Sequence, residues 1–134
     1  MADENPSIIS HVSVGTNDFE RAAAFYDKVL APLACKRIMD FPGAVAYGKV
    51  FPEFWVQQPL DGGAAQVANG MHFAFLAKDE ASVDAFYAAA IDAGASDDGK
   101  PGPRPHYGAA YYACFVRDSD GHKIEAMFWD ETKA

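Results

Sequence analysis

The chain repeats itself at an offset of 61. Residues 11–34 read HVSVGTNDFERAAAFYDKVLAPLA and residues 72–95 read HFAFLAKDEASVDAFYAAAIDAGA. The matched pairs are His11/His72, Asp18/Asp79, Ala24/Ala85, Phe25/Phe86, Tyr26/Tyr87 and Ala34/Ala95, six of twenty-four positions, where composition alone gives roughly two. A repeat of this period means two copies of one supersecondary unit that bury their apolar faces together. A pseudo-twofold pair brings equivalent positions to a common junction, so His11 and His72 become candidates to meet at one metal ion.

Each copy can be read by period. Ile8, Val12 and Val14 alternate with Ile9, His11 and Ser13, which predicts a strand over 8–14. Asn17 with Glu20 resembles a capping box. Phe19, Ala22, Ala23, Tyr26, Val29 and Leu30 then keep helical spacing up to Pro32. Three strands are expected near 36–40, 44–48 and 53–58, separated by Phe-Pro-Gly and Val-Phe-Pro. The second copy opens with a strand at 71–76 and a helix at 80–93 closed by Gly94. A polar segment, SDDGKPGPRPHYG, reads as an extended, stiffened loop because of Pro101, Pro103 and Pro105. Strands at 111–116 and 123–128 follow, turned at Asp118–Gly121. The fold class is therefore α+β, two βαβββ modules in one domain over 1–134: module one about 7–58, a Gly/Ala-rich connector 59–70, and module two about 71–129. Val12, Val14, Phe73, Phe75, Ile124, Ala126 and Phe128 should face the helices, and His11, His72 and Glu125 the opposite side.

The net charge of −8 argues against nucleic acid and anionic membranes as partners. No apolar run reaches the length of a membrane span. The first residues lack a signal-peptide layout, and Cys35 and Cys114 form no CxxC, so free thiols and a cytoplasmic location are expected.

His11 with its following helix, His72, and the segment RDSDGHKIEAM at 117–127 carrying Glu125 resemble the vicinal oxygen chelate superfamily, which holds glyoxalase I, fosfomycin-resistance transferases, extradiol dioxygenases and bleomycin-binding proteins. The resemblance covers about residues 7 to 129. It implies a glyoxalase/bleomycin-resistance/dioxygenase-type fold, with His11, His72 and Glu125 as ligands of one divalent metal (Zn, Ni, Mn or Fe). Aligning Phe54-Trp55-Val56 with Ile124-Glu125-Ala126 puts Trp55, which cannot ligate, at the family's fourth ligand position; Glu53 and Gln57 flank it.

Two imidazoles and a carboxylate suit several divalent ions and leave positions open for a substrate with adjacent oxygens. The implied function is a metal-dependent lyase or isomerase of glyoxalase type, acting on a small oxygenated metabolite through enediolate chemistry. The alternatives are an Fe(II) dioxygenase and a non-enzymatic drug- or metabolite-binding protein of bleomycin-resistance type. Glu125 and His106 are candidate catalytic groups, the latter on a lid over 97–109. Trp55 and Tyr107 are candidate substrate contacts, whereas Arg104 and His122 read as solvated or structural. The resemblance also implies a homodimer, with one site drawing ligands from both chains.

Overall fold

The computed structural model describes residues 5–134. In chain order the elements are β1 (Val12–Gly15), α1 (Phe19–Leu30), β2 (Lys36–Phe41), β3 (Ala44–Gly48), β4 (Phe54–Gln57), β5 (His72–Leu76), α2 (Glu80–Asp92), β6 (Ser96–Pro103), β7 (Tyr111–Arg117) and β8 (Lys123–Trp129). They form two four-stranded sheets, ordered β1-β4-β3-β2 and β5-β8-β7-β6. In each sheet the first strand runs parallel to the last, and the remaining pairs are antiparallel. The expected pair of βαβββ modules is what forms.

The duplication also shows in the helix starts. Asp18 and Asp79 are the N-caps, accepting from Arg21 N at 3.2 Å and Ser82 N at 2.7 Å, which satisfies a backbone donor at each helix start. The cap is thus Asp18 and not Asn17, and with Arg21 at the third helical position the expected capping box with Glu20 does not form. Asn17 is used elsewhere: its Oδ1 accepts from Ala65 N at 2.7 Å, pinning the connector to module one.

One face of each sheet is closed by its helix, and α1 packs against α2. Val14, Phe25, Tyr26, Val29, Leu30, Phe54, Val83, Phe86, Ile124 and Ala126 make one continuous core across both modules. Phe54 is the seam, edge-on to Phe73 at 6.0 Å and to Phe75 at 5.0 Å. The other face of each sheet carries no helix.

Two strand expectations need correction. The first strand begins at Val12, not Ile8, because its partner β4 is only four residues long. Val12 N donates to Glu53 O at 2.9 Å, the ladder ends there, and Ile8 is 98% exposed rather than facing the helices. The Pro-rich loop is largely a strand. β6 is an edge strand, where proline needs to give no ladder donor; it pairs with β7 through shifts at Asp97/Gly99 and Gly99/Gly102.

A polar clasp holds the modules together. The buried Tyr26 hydroxyl donates to Asp118 Oδ2 at 2.6 Å, and Asp118 Oδ1 accepts from the backbone N–H of Asp120 and His122. His122 Nε2 donates to Gly15 O at 2.7 Å, and Asn17 N to Asp120 Oδ1 at 3.0 Å. Burial, reinforced by the Asp118 charge, raises the Tyr26 phenol well above its ordinary range. The variant Asp118→Ala strands a buried hydroxyl and two backbone donors. Urea denaturation should show a loss of about 2–3 kcal/mol, and Tyr26→Phe, which removes the orphaned hydroxyl, should recover part of it in the double variant.

Candidate functional site

Strand alternation builds the site. On β8, Ile124, Ala126 and Phe128 pack into the core, so Lys123, Glu125 and Met127 face away from the helices. On β5, Phe73 and Phe75 go inward, leaving His72 and Ala74 on the same outer face as Glu125. The parallel register His72↔Lys123 and Ala74↔Glu125 places His72 diagonally beside Glu125. His72 Nε2 lies 3.2 Å from Glu125 Oε1.

The other carboxylate oxygen is held from β7. Cys114 and Val116 are core residues, so Tyr111, Ala113 and Phe115 face the Glu125 side. Tyr111 OH donates to Glu125 Oε2 at 2.5 Å, and Phe115 is the cross-strand partner of Glu125. Glu125 is only 2% exposed, although it sits on the face without a helix; the curved sheet and these two neighbours bury it. Burial, then the Glu125 hydrogen bond and charge, push the Tyr111 phenol above its ordinary range. The His72 side chain is 46% exposed, so the pair opens to solvent through the imidazole.

Not all of the expected ligands come together. His11 precedes β1, is exposed, and bonds Ser10 Oγ through Nδ1 at 3.0 Å. It lines a groove of about 500 Å³ in module one with Glu53, Trp55 and Phe51. Among the described residues, no group of three His, Cys, Asp or Glu side chains within the chain is arranged to hold a metal. The chain by itself therefore supplies two neighbouring donors, His72 and Glu125. Their spacing fits a shared ion: two donors each roughly 2.1 Å from one metal lie about 3.0–3.4 Å apart at ordinary coordination angles.

The ladders also test the position of Trp55. Trp55 pairs with Ser13 as Glu125 pairs with Ala74, so Trp55 is the counterpart of Glu125. Its ring stacks on Phe41, with centroids 6.3 Å apart and planes within 5°. Tyr47, by contrast, is buried core and donates to Ala23 O at 2.9 Å.

The segment after β6 is a 3₁₀ turn over Pro105–Tyr107. His106 and Tyr107 are exposed, and their rings lie 4.1 Å apart. Tyr107 meets Tyr111 edge-on at 5.2 Å, which puts this turn beside the Glu125 pair through Tyr111. Cys35 and Cys114 are free thiols. No helix among the described residues is long and apolar enough to cross a membrane.

Tyr111 was not singled out from sequence. The signal was available: Cys114 and Val116 on the core face of a strand put Tyr111 and Phe115 on the face of Glu125.

Residues 35–126 match the model of the Glyoxalase/Bleomycin resistance protein/Dioxygenase superfamily. A glyoxalase/bleomycin resistance protein from Albidiferax ferrireducens T118 is 33% identical, with a TM-score of 0.81, covering 91% of this chain and 98% of that one. The chain belongs to this superfamily. A glyoxalase-related enzyme from Fulvimarina pelagi has a TM-score of 0.69 at 20% identity, covering 90% of this chain and 86% of that one. A lactoylglutathione lyase from Agrobacterium tumefaciens has a TM-score of 0.63 at 21% identity, covering 93% and 96%. These last two share the fold. Among curated proteins none matches the chain.

The clamp on Glu125 can be checked without a substrate. In Glu125→Gln the carboxylate charge that disfavours the phenolate is gone. Absorbance titration should show one tyrosine moving down toward the ordinary value of about 10, while the fold is retained.

Proposed function

We propose that this superfamily member is a divalent-metal-dependent, glyoxalase-like enzyme acting on a small oxygenated molecule in a cup that a second copy would close over the outer sheet face of module two. The observation that carries the reading is the His72–Glu125 pair at 3.2 Å, with the second carboxylate oxygen fixed by Tyr111. A structural ion pair needs no such placement on a sheet face left without a helix. Two donors at chelating distance, one buried and one open to solvent, suit a ligand that enters from outside.

His72 and Glu125 would hold the ion, and His11 of a second copy would complete the set. A bound ion would supply Lewis-acid polarisation of a substrate's oxygens. The chain's own part is proton handling and shape. Glu125 Oε1 is the oxygen turned toward His72 and the ion, since Tyr111 occupies Oε2, so Glu125 would take or return a proton by releasing the ion. Tyr111 keeps the carboxylate from rotating, and Trp55 with Phe41 would offer a flat apolar wall from module one of a second copy.

A homodimer belongs to this reading. Ile8, Ile9, Phe51 and Leu76 are all more than 60% exposed, and the grooves holding His11 and His72 both include Glu53. Large apolar side chains exposed together are usual at contact surfaces. The stacked Phe41–Trp55 pair favours a second reading, a binding protein that holds a flat ligand without metal or turnover.

Elemental analysis decides between them. Protein purified without chelator or nickel affinity should carry one divalent ion per site. His72→Ala should lose it while keeping its far-UV spectrum. A metal-free wild type that takes up no added Zn, Ni, Mn or Fe would overturn the enzyme reading in favour of the binding protein.

Light scattering at micromolar concentration should give about twice the chain mass of 14.5 kDa. Mixing His11→Ala with Glu125→Ala chains should restore metal to one of the two sites of each heterodimer if ligands are shared across the dimer. No restoration would leave each chain to build its own site.

A further inference from the structure

Arg104 is built into module two in an unusual way. The chain has four arginines. Arg21, Arg37 and Arg117 each pair with an aspartate; Arg104 has no carboxylate partner among the described residues. Instead its guanidinium donates to backbone carbonyls, Nη1 to Gly102 O at 2.9 Å and Pro103 O at 3.3 Å, and Nη2 to Lys100 O at 2.6 Å. Carbonyls fix its position and leave its charge unneutralised. Nε–H and one Nη2–H have no protein acceptor among the described residues.

The guanidinium lies over the Phe115 ring, with Cζ 5.5 Å from the centroid. Lys123 Nζ lies 5.0 Å from the same centroid, and the His72 ring centre 6.5 Å. Phe115 is the cross-strand partner of Glu125, so these basic groups gather at the mouth of the proposed cup. Two carboxylates lie near them: Glu125 is taken up by His72 and Tyr111, and Asp98 is shared between Arg117 Nε at 3.3 Å and Lys123 Nζ at 3.7 Å. One negative charge answers two positive ones, and Arg104 remains in excess.

The backbone is shaped around this arrangement. Gly99 has φ +152°, and a Cβ there would come 2.9 Å from Phe115 Cδ2 and 3.3 Å from Arg104 Nη2. A Cβ at Gly102 would touch Nη1 at 3.4 Å. The two register shifts of β6 fall at these glycines. A solvated surface arginine needs no strand bent to seat it.

We infer that Arg104, Phe115 and Lys123 form a recognition site for a carboxylate, so that the small molecule entering the cup of module two is an oxygenated carboxylic acid. The inference rests on the proposed position of the cup and adds the substrate class. A planar guanidinium with two unused N–H groups takes a carboxylate better than a neutral amide. Lys123 adds a second, mobile charge, and Phe115 excludes water beneath both. In a chain of net charge −8 this local excess of positive charge also orients an incoming anion, carboxylate first, toward the ring.

The test is a titration of the metal-free full chain with benzoate and, separately, benzamide, followed by amide chemical shifts. Benzoate should move the Arg104, Phe115 and Lys123 amides saturably, with benzamide at least about fivefold weaker, the size of one modest charge–charge contact. Arg104→Met should weaken benzoate by a similar factor and leave benzamide unchanged. Lys123→Met should do the same to a smaller degree, and it decides the matter if Arg104→Met fails to fold. Equal binding of the two probes, or benzoate binding indifferent to both variants, would overturn the inference and leave Arg104 as a staple for β6. Metal content is read independently, so loss of the metal reading with retained benzoate preference remains distinguishable from the reverse.

Discussion

The placement of the two modules depends on one buried carboxylate. Asp118 collects the Tyr26 hydroxyl from α1 and two backbone N–H groups from its own turn. The turn so fixed then delivers His122 to Gly15 O and Asp120 to Asn17 N. An apolar seam such as Phe54 against Phe73 and Phe75 tolerates sliding, because dispersion is weakly directional. Hydrogen bonds to a buried acceptor do not. The polar clasp therefore sets the angle between the sheets, and with it the separation of the His11 groove from the His72–Glu125 pair.

That separation explains why one chain offers two ligands and not three. Both sheets use one face to meet the helices, which leaves both histidine-bearing regions on the outside of a continuous core. The modules meet through α1 against α2 and through Phe54 against Phe73 and Phe75, rather than outer sheet face to outer sheet face. A site needing donors from both outer faces must be closed by another surface. The exposed Ile9 and Leu76 line the His72 groove, and Ile9 and Phe51 the His11 groove; the proposed second copy would remove this apolar area from water.

Much of this was legible in the sequence because duplication supplies its own control. Strand faces read from Phe73, Phe75, Ile124 and Ala126 held, and they placed His72 and Glu125 on one side. Trp55 was matched to Glu125 by alignment, and the parallel ladders agree. What failed was local. Ile8 has strand periodicity but no partner strand opposite it, and pairing length is not written in the alternation itself. The prolines of 96–103 read as a loop because their tolerance at a sheet edge depends on where the strand falls in the order. Tyr111 was passed over, and Arg104 read as solvated or structural, for a different reason. Their roles come from cross-strand neighbours at sequence distances of fourteen and eleven residues, Glu125 and Phe115, which no motif records.

The two modules have diverged in chemistry while keeping geometry. At the same ladder position module two has Glu125, buried and hydrogen-bonded at both oxygens, and module one has Trp55, stacked on Phe41. A carboxylate there in both modules would place two like charges across the closed cleft, each raising the cost of ionising the other. With tryptophan on one side, a cleft closed as proposed would carry the hydrogen-bonded carboxylate on one wall only, and so one orientation for an asymmetric molecule. The basic rim of Arg104 and Lys123 lies on the carboxylate side, so in the proposed reading charge recognition and proton handling would share module two while module one would contribute shape. A duplicated fold that binds one small molecule gains direction only by breaking its own symmetry, and the exchange of glutamate for tryptophan is where this chain breaks it.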